Sequence, residues 1–274
     1  MCVPGCHEVV MKRLSRRNFF KGTGGLAAAA AMSTALPITP VRAQSVSMNK
    51  IHDLTHALAP DFPTYFGVPG LEIENIYKFD KDGFNLNKWH LNEHTGTHMD
   101  APFHFSKDGA TAEAIAVEQL VVPLAIIDVS TKAEADADYQ LSPDDIKAWE
   151  SANGELPEGC CVALYSGWEK HVTSDKFRNA DKDGTMHFPG FHVETAEMMM
   201  NERKVVGMAV DTLSLDHGAS KTFDTHYKWL PSGRWGMENV ANLGALPAKG
   251  ATLVVGAPKI VGATGGPCRL IALV

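Results

Sequence analysis

A chain of 274 residues is long enough to bury one large core, and 45% hydrophobic with 21% charged side chains is the make-up of a folded globular protein. That excludes a disordered chain and a multi-pass membrane protein. The formal net charge is −7, and it becomes −12 (19 basic, 31 acidic side chains) once the basic N-terminal segment is set aside; such a surface repels phosphate backbones and excludes nucleic acid as a partner.

The N-terminal segment comes first in chain order. Ser15-Arg16-Arg17-Asn18-Phe19-Phe20-Lys21 sets two adjacent arginines before aromatic residues, and a weakly apolar run over 22–36 leads to Val41-Arg42-Ala43 among small residues. Charged region, apolar region and small-residue exit in that order read as a twin-arginine export signal. As a helix the run spans about 22 Å against a hydrocarbon core of about 30 Å, too short for a permanent membrane anchor. Residues 1–43 are therefore expected to be cleaved after Ala43, leaving a domain over 44–274 in the periplasm, with the export machinery as a partner in transit. Such signals carry proteins that cross the membrane folded, often with a cofactor loaded, which points to a metal. Cys160, Cys161 and Cys268 stay with the mature chain; three cysteines make no disulfide framework, and no C-x-x-C occurs.

Past residue 50 no repeat, linker or composition break appears, so the pattern is that of a single α/β domain. The run 121–129 predicts a buried strand. Ser142-Pro143-Asp144-Asp145 opens a helix, with a capping serine, proline at the first helical position and acids in the first turn, and Gly154 closes it. A second strand is predicted at 160–165, then a polar surface excursion or lid over 170–190. A helix over 193–203 follows, its Met198, Met199 and Met200 read as core filler. Strands are predicted again at 205–210, 251–257 and 268–274.

The chemistry concentrates in one segment. His94-Thr95-Gly96-Thr97-His98-Met99-Asp100-Ala101-Pro102-Phe103-His104 places three imidazoles and a carboxylate within eleven residues. As an extended strand it would hold His94 and His98 about 13 Å apart, too far to share one ion. A continuous helix would put Asp100 on the face opposite His98, and Pro102 disfavours helix at Ala101. Convergence therefore requires a turn from His94 to His98, eased by Gly96, and an extended step to Asp100, with His104 set back beyond Pro102. Imidazoles with a carboxylate suit zinc, manganese or ferrous iron better than calcium or magnesium. His52, His171 and His187, isolated in sequence, read as surface or satisfied core histidines.

This H-x-G-T-H-x-D-A-P-x-H string resembles the cyclase family of metal-dependent hydrolases, which includes bacterial kynurenine formamidase and isatin hydrolase. The likeness extends from Asp53-Leu54-Thr55-His56 through Val210-Asp211-Thr212-Leu213-Ser214-Leu215-Asp216 and Glu238-Asn239-Val240-Ala241-Asn242-Leu243 to Gly266-Pro267-Cys268-Arg269. It implies a compact α/β fold with a central barrel-like mixed sheet flanked by helices, and subunits that pair as homodimers or larger assemblies. It implies His94, His98, Asp100, His226 and Glu238 as metal ligands, one or two Zn2+ or Mn2+ ions per subunit, and His104 as the general acid/base. Tyr65 and Phe66 stand in an altered context relative to the family's substrate-packing aromatic, and with Trp168 and Phe191 they are the candidate substrate-binding residues.

The activity implied is hydrolysis of the C–N bond of a small aryl formamide or lactam by metal-activated water, an arylformamidase-like reaction on a small-molecule substrate. Hydrolysis or dehydration of another small carbonyl compound, and metal or ligand binding without turnover, are the alternatives. Asp211, Ser214 and Asp216 read equally as partners that orient the metal-binding imidazoles and as structural turn residues.

Overall fold

All five apolar runs become strands of one sheet. The computed structural model describes residues 49–274, so the export segment 1–43 and its cleavage position lie outside the described residues. In chain order the elements are β1 (Ile51–Asp53), β2 (Leu71–Tyr77), α1 (Phe79–Asp82), β3 (Leu86–Leu91), β4 (His98–Asp100), β5 (Val121–Asp128) and α2 (Ser130–Ala135). They continue with β6 (Gln140–Leu141), α3 (Pro143–Asn153), β7 (Cys161–Tyr165), β8 (Gly190–Phe191), α4 (Val193–Asn201) and β9 (Gly207–Val210). The chain closes with α5 (Asp224–Trp229), β10 (Trp235–Glu238), β11 (Lys249–Gly256), β12 (Gly265–Pro267) and β13 (Arg269–Leu273).

Among the described residues, nine strands form a mixed sheet in the order β1-β13-β11-β5-β7-β9-β10-β4-β12. Its centre, β5 to β10, is parallel, and both flanks are antiparallel. Parallel strands need cover on both faces, and period-two alternation provides two apolar faces. Leu124, Ile126, Cys161, Ala163 and Ala209 enter one core; Ala125, Ile127, Val162, Leu164, Met208 and Val210 enter the other. The second core is roofed by Ile146 and Trp149 of α3, Ala196, Met198 and Met199 of α4, and Trp229 of α5. The first is enclosed by the sheet itself: Thr55, just past edge strand β1, bridges Val240, just past β10, so the sheet curls into a half-barrel. Each fully buried Ile, Leu or Met in these cores stabilises the fold by about 1.5–3 kcal/mol relative to leaving it exposed.

The helix signals are realised. Ser142 and Asp145 form a capping box, Ser142 N–H donating to Asp145 Oδ2 at 2.8 Å, and Gly154 ends α3 at φ 81°. α4 begins where expected and stops two residues short of Arg203; Met198 and Met199 are buried core filler.

The polar segment 170–190 differs from its expectation as a surface excursion. Phe177 and Phe188 are fully buried and pack with Trp168, Met186 and Leu213 in a third cluster. Trp168 Nε1 donates to the Phe177 carbonyl at 2.9 Å, and Asn179 Nδ2 to the His187 carbonyl at 2.8 Å. Phe177, Met186 and Phe188, three apolar side chains scattered among lysines and aspartates, fix it against the body. His187 behaves as a satisfied surface histidine, paired with Asp138 at 2.7 Å.

β2 and β3 form a hairpin apart from the main sheet, with Ile73 opposite Trp89 and Leu71 opposite Leu91. Glu72, Glu74, Lys88 and His90 occupy the other face of the ladder. Trp89 is 68% exposed and Ile73 45%, an apolar face without cover among the described residues.

Candidate metal centre

Four short strands that the apolar runs did not announce, β1, β4, β10 and β12, complete the sheet, and two of them carry the site. The chain turns at Gly96, whose φ of 67° is the left-handed region glycine favours, and enters β4 at His98. β4 pairs with β10 in the register His98↔Glu238, Met99↔Met237, Asp100↔Gly236. Residues directly opposite in an antiparallel pair share a face, as do residues two apart on one strand. His98, Asp100 and Glu238 therefore point one way, and Met99 and Met237 point into the barrel core. His98 Nε2 lies 3.3 Å from Asp100 Oδ1 and 3.4 Å from Glu238 Oε2. From α5, His226 Nε2 comes within 3.5 Å of Asp100 Oδ2 and 3.2 Å of Glu238 Oε1. His94, before the turn, puts Nδ1 at 2.7 Å from Asp100 Oδ1.

The outer partner of each ring decides what its inner nitrogen offers. His98 Nδ1 lies 2.8 Å from the Gly96 carbonyl, which only accepts, so Nδ1 carries the hydrogen and Nε2 the lone pair. His226 Nδ1 is held at 2.6 Å by Asp216 Oδ2, a carboxylate fixed in turn by the backbone N–H groups of Thr225 and His226 at 2.9 and 3.1 Å. The Thr264 hydroxyl donates to the Glu93 carboxylate and accepts from His94 Nε2 at 2.9 Å. Three imidazole lone pairs thus converge on two carboxylates, acceptors facing acceptors. Asp100 is wholly buried, and among the described residues its Oδ2 and His98 Nε2 have no hydrogen-bond partner. Such an array is stable around a positive species, and its nitrogen and oxygen donors fit a transition-series dication.

Electrostatics agree with that fit. Burial opposes charging of His98, yet the Asp100 and Glu238 carboxylates beside it outweigh burial and raise it to about 10, so the site claims a positive charge at Nε2, from a proton where no cation supplies it. Burial works against Asp100 as well, and the His226, His94 and His98 rings packed around its carboxyl bring it well below the usual carboxylate range. His104, on the 3₁₀ turn Pro102–Phe105, stacks on His94 with ring centroids 3.7 Å apart. Burial takes it down to about 4 against the opposing pull of Asp100, which keeps the ring neutral at pH 7. Ligand atoms of His98, Asp100 and Glu238 lie within 4.8 Å of one another, and so do those of His94, Asp100 and His104. Asp100 belongs to both groups. His104 is thus closer to the ligands than its expected position beyond Pro102, because the 3₁₀ turn folds it back over His94.

The cluster lies in the wall of a cavity of about 610 Å³. Tyr65, Phe66, Phe105 and Phe223 supply its aromatic surface, and Leu213, Ser214 and Asn239 line it nearer the cluster strands. The Phe105 and His226 rings are 4.6 Å apart.

Residues 52–217 match the Cyclase family model, and residues 13–33 match the twin-arginine translocation pathway signal sequence. The chain is 37% identical over 229 residues to isatin hydrolase of Roseibium aggregatum, covering 79% of this chain and 85% of that protein. The chain belongs to the cyclase family. Within that family it is also 27% identical over 189 residues to kynurenine formamidase of Bacillus cereus, covering 69% of this chain and 80% of that protein. The crystal structure of an isatin hydrolase bound to the product analogue thioisatinate matches with a TM-score of 0.77 at 34% identity, covering 82% of this chain and 92% of that one.

Set in the cyclase-family fold, the remaining candidates separate. Tyr65 and Phe66 line the cavity; Trp168 and Phe191 do not. Trp168 is buried in the third cluster with its indole N–H bonded to Phe177, and Phe191 is buried under the helices, so both are structural. Phe105 and Phe223 take the expected places of these two in the wall. Their signals were available: Phe105 follows His104 directly, and Phe223 lies one helical turn before His226. Of the three downstream polar residues, Asp216 orients His226, and Ser214 faces the cavity with its hydroxyl unpartnered among the described residues. Asp211 is structural, accepting from Ser166 Oγ at 2.6 Å and from the Trp168 N–H at 2.9 Å.

Proposed function

We propose that this cyclase-family chain is a metal-dependent hydrolase that opens the C–N bond of a small aryl formamide or lactam. The observation that carries the reading is the convergence of three imidazole lone pairs and two carboxylates beside an aromatic-walled cavity. His94, His98, Asp100, His226 and Glu238 would hold the ion, and Asp100, common to both groupings, would be shared if two ions bind. When bound, a zinc or manganese ion supplies Lewis acidity and lowers the pKa of its water to about 7.

The protein's own groups do the rest. Tyr65, Phe66, Phe105 and Phe223 take a flat ring between them and exclude water from the reacting carbonyl. His104, neutral and within reach of the ligand cluster, accepts the proton of the attacking water on a ring nitrogen and returns it to the departing amide nitrogen. Ser214 Oγ, unpartnered among the described residues, is free to hydrogen-bond the substrate carbonyl side. Names and contents of the relatives support this reading: one is an isatin hydrolase, one a kynurenine formamidase, and one structure holds thioisatinate.

The signal match supports export by the twin-arginine route, and no helix among the described residues is long and apolar enough to cross a membrane. Cleavage after Ala43 would leave a periplasmic enzyme of residues 44–274. The uncovered hairpin face around Ile73 and Trp89 supports pairing of subunits as a homodimer.

The test is turnover of formanilide and isatin by the purified mature protein with its metal content measured in parallel. Hydrolysis that disappears on chelation and returns with Zn2+ or Mn2+ is expected. Hydrolysis that persists in metal-stripped protein would overturn the reading.

A further inference from the structure

The aromatic wall of the cavity is carried by a loop with little structure of its own. Residues 63–68 form neither strand nor helix, yet they place Tyr65 and Phe66 on the cavity. Within the loop, Thr64 Oγ1 donates to the Val68 carbonyl at 2.6 Å and Gly67 N–H to the Thr64 carbonyl at 3.1 Å. Tyr65 rests on Phe223, the ring centroids 5.8 Å apart. Phe66 is 83% exposed, so packing alone does not fix it.

A residue 113 positions away supplies the missing restraint. Arg178 Nη2 donates to the Tyr65 carbonyl at 3.1 Å, and the guanidinium lies against Gly67. A Cβ at Gly67 would meet Arg178 Nη1 at 2.7 Å and Cζ at 2.9 Å, and the Gly67 φ of 68° is itself the left-handed region. The backbone therefore favours glycine there, and a Cβ would displace the guanidinium. Arg178 is held from behind: Phe177, its neighbour, is fully buried and bonded through its carbonyl to Trp168. Among the described residues Arg178 makes no ion pair within 4.0 Å, and its Nε is buried without a partner. Charge pairing does not explain its position; the loop carbonyl does.

We propose that Arg178 is a positioning residue that clamps the Tyr65-Phe66 loop and so sets the selectivity of the cavity for a flat aromatic ring. The segment 170–190 thereby acts on the substrate without touching it. The clamp rests on the aryl-substrate reading only for the identity of the ring. It predicts that loosening the loop weakens binding of aromatic ligands and spares ligands that reach only the metal cluster, because a mobile wall must be ordered each time a ring binds.

The experiment is calorimetric titration of metal-replete protein with thioisatinate, and with acetohydroxamate as a small non-aromatic ligand for the metal cluster. Arg178→Ala and Gly67→Ala are expected to bind thioisatinate about tenfold more weakly than wild type, with Arg178→Lys in between because its ammonium can still donate to the Tyr65 carbonyl. In the Arg178 variants acetohydroxamate affinity, metal content and melting temperature are expected to stay near wild type, whereas Gly67→Ala lowers the melting temperature as well because of its positive φ. Thioisatinate affinity within twofold of wild type in Arg178→Ala, equal losses for both ligands, or no binding of thioisatinate to wild type would overturn the clamp. If wild type hydrolyses no amide while the thioisatinate difference persists, the hydrolase reading falls and the clamp stands.

Discussion

At the scale of single residues, the outer partner of each imidazole does as much as the imidazole. Asp216→Asn keeps the shape but weakens the hold on His226 Nδ1, and metal affinity is expected to fall about 10- to 100-fold, measured by competition with a chromophoric chelator. His104→Gln should retain the metal and lose roughly 10²- to 10⁴-fold in turnover; loss of the ion instead would make His104 a ligand. Asp211 gives a pH signature away from the ions. Burial raises its carboxyl from 3.8 to about 6 despite hydrogen bonds from Ser166 and Trp168. The folded protein therefore holds that proton more tightly than the unfolded chain. The resulting stabilisation is fully present below about pH 4 and is lost as pH rises through about 6. Urea unfolding of wild type and Asp211→Asn should diverge across that window by up to roughly 3 kcal/mol, wild type losing ground as pH rises.

At the scale of elements, the legibility of the sequence follows from what each element is made of. β5, β7, β9, β11 and β13 are continuous apolar runs, and α3 carries its own start and stop residues, so hydrophobic pattern and capping chemistry announce them. β4 and β10 are only three and four residues long and carry His98, Asp100 and Glu238, so polar ligands interrupt the pattern that marks a strand. The bend at Gly96 and the extended step to Asp100 followed from the geometry of convergence. The placement of His226 beside them rested on resemblance, since nothing local to Asp224–Trp229 says which strand it will meet. Trp168 and Phe191 show the opposite limit: an aromatic residue near a polar segment reads equally as cavity wall or as core, and here both are core. The hairpin β2–β3 makes its own prediction. A two-stranded ladder with Ile73 and Trp89 uncovered is marginal alone. If subunits pair through this face as proposed, Trp89→Glu is expected to convert the dimer to a monomer in light scattering, and an assembly state unchanged by the substitution would overturn that pairing.

At the scale of the whole molecule, the half-barrel and the ligands depend on each other. The strand order pairs β10 directly with β4, while α5, packed on the outer face, delivers His226 to the same spot. The ligands thus come from three distant parts of the chain, so a bound ion ties them together in the native state alone and its removal should lower the melting temperature. The most direct measurement is elemental analysis of purified wild type and Asp100→Ala with formanilide turnover on the same samples. At least one zinc or manganese per wild-type subunit is predicted, with ion and turnover lost together in Asp100→Ala; a variant that keeps its full metal content, or turns over without it, would contradict the account.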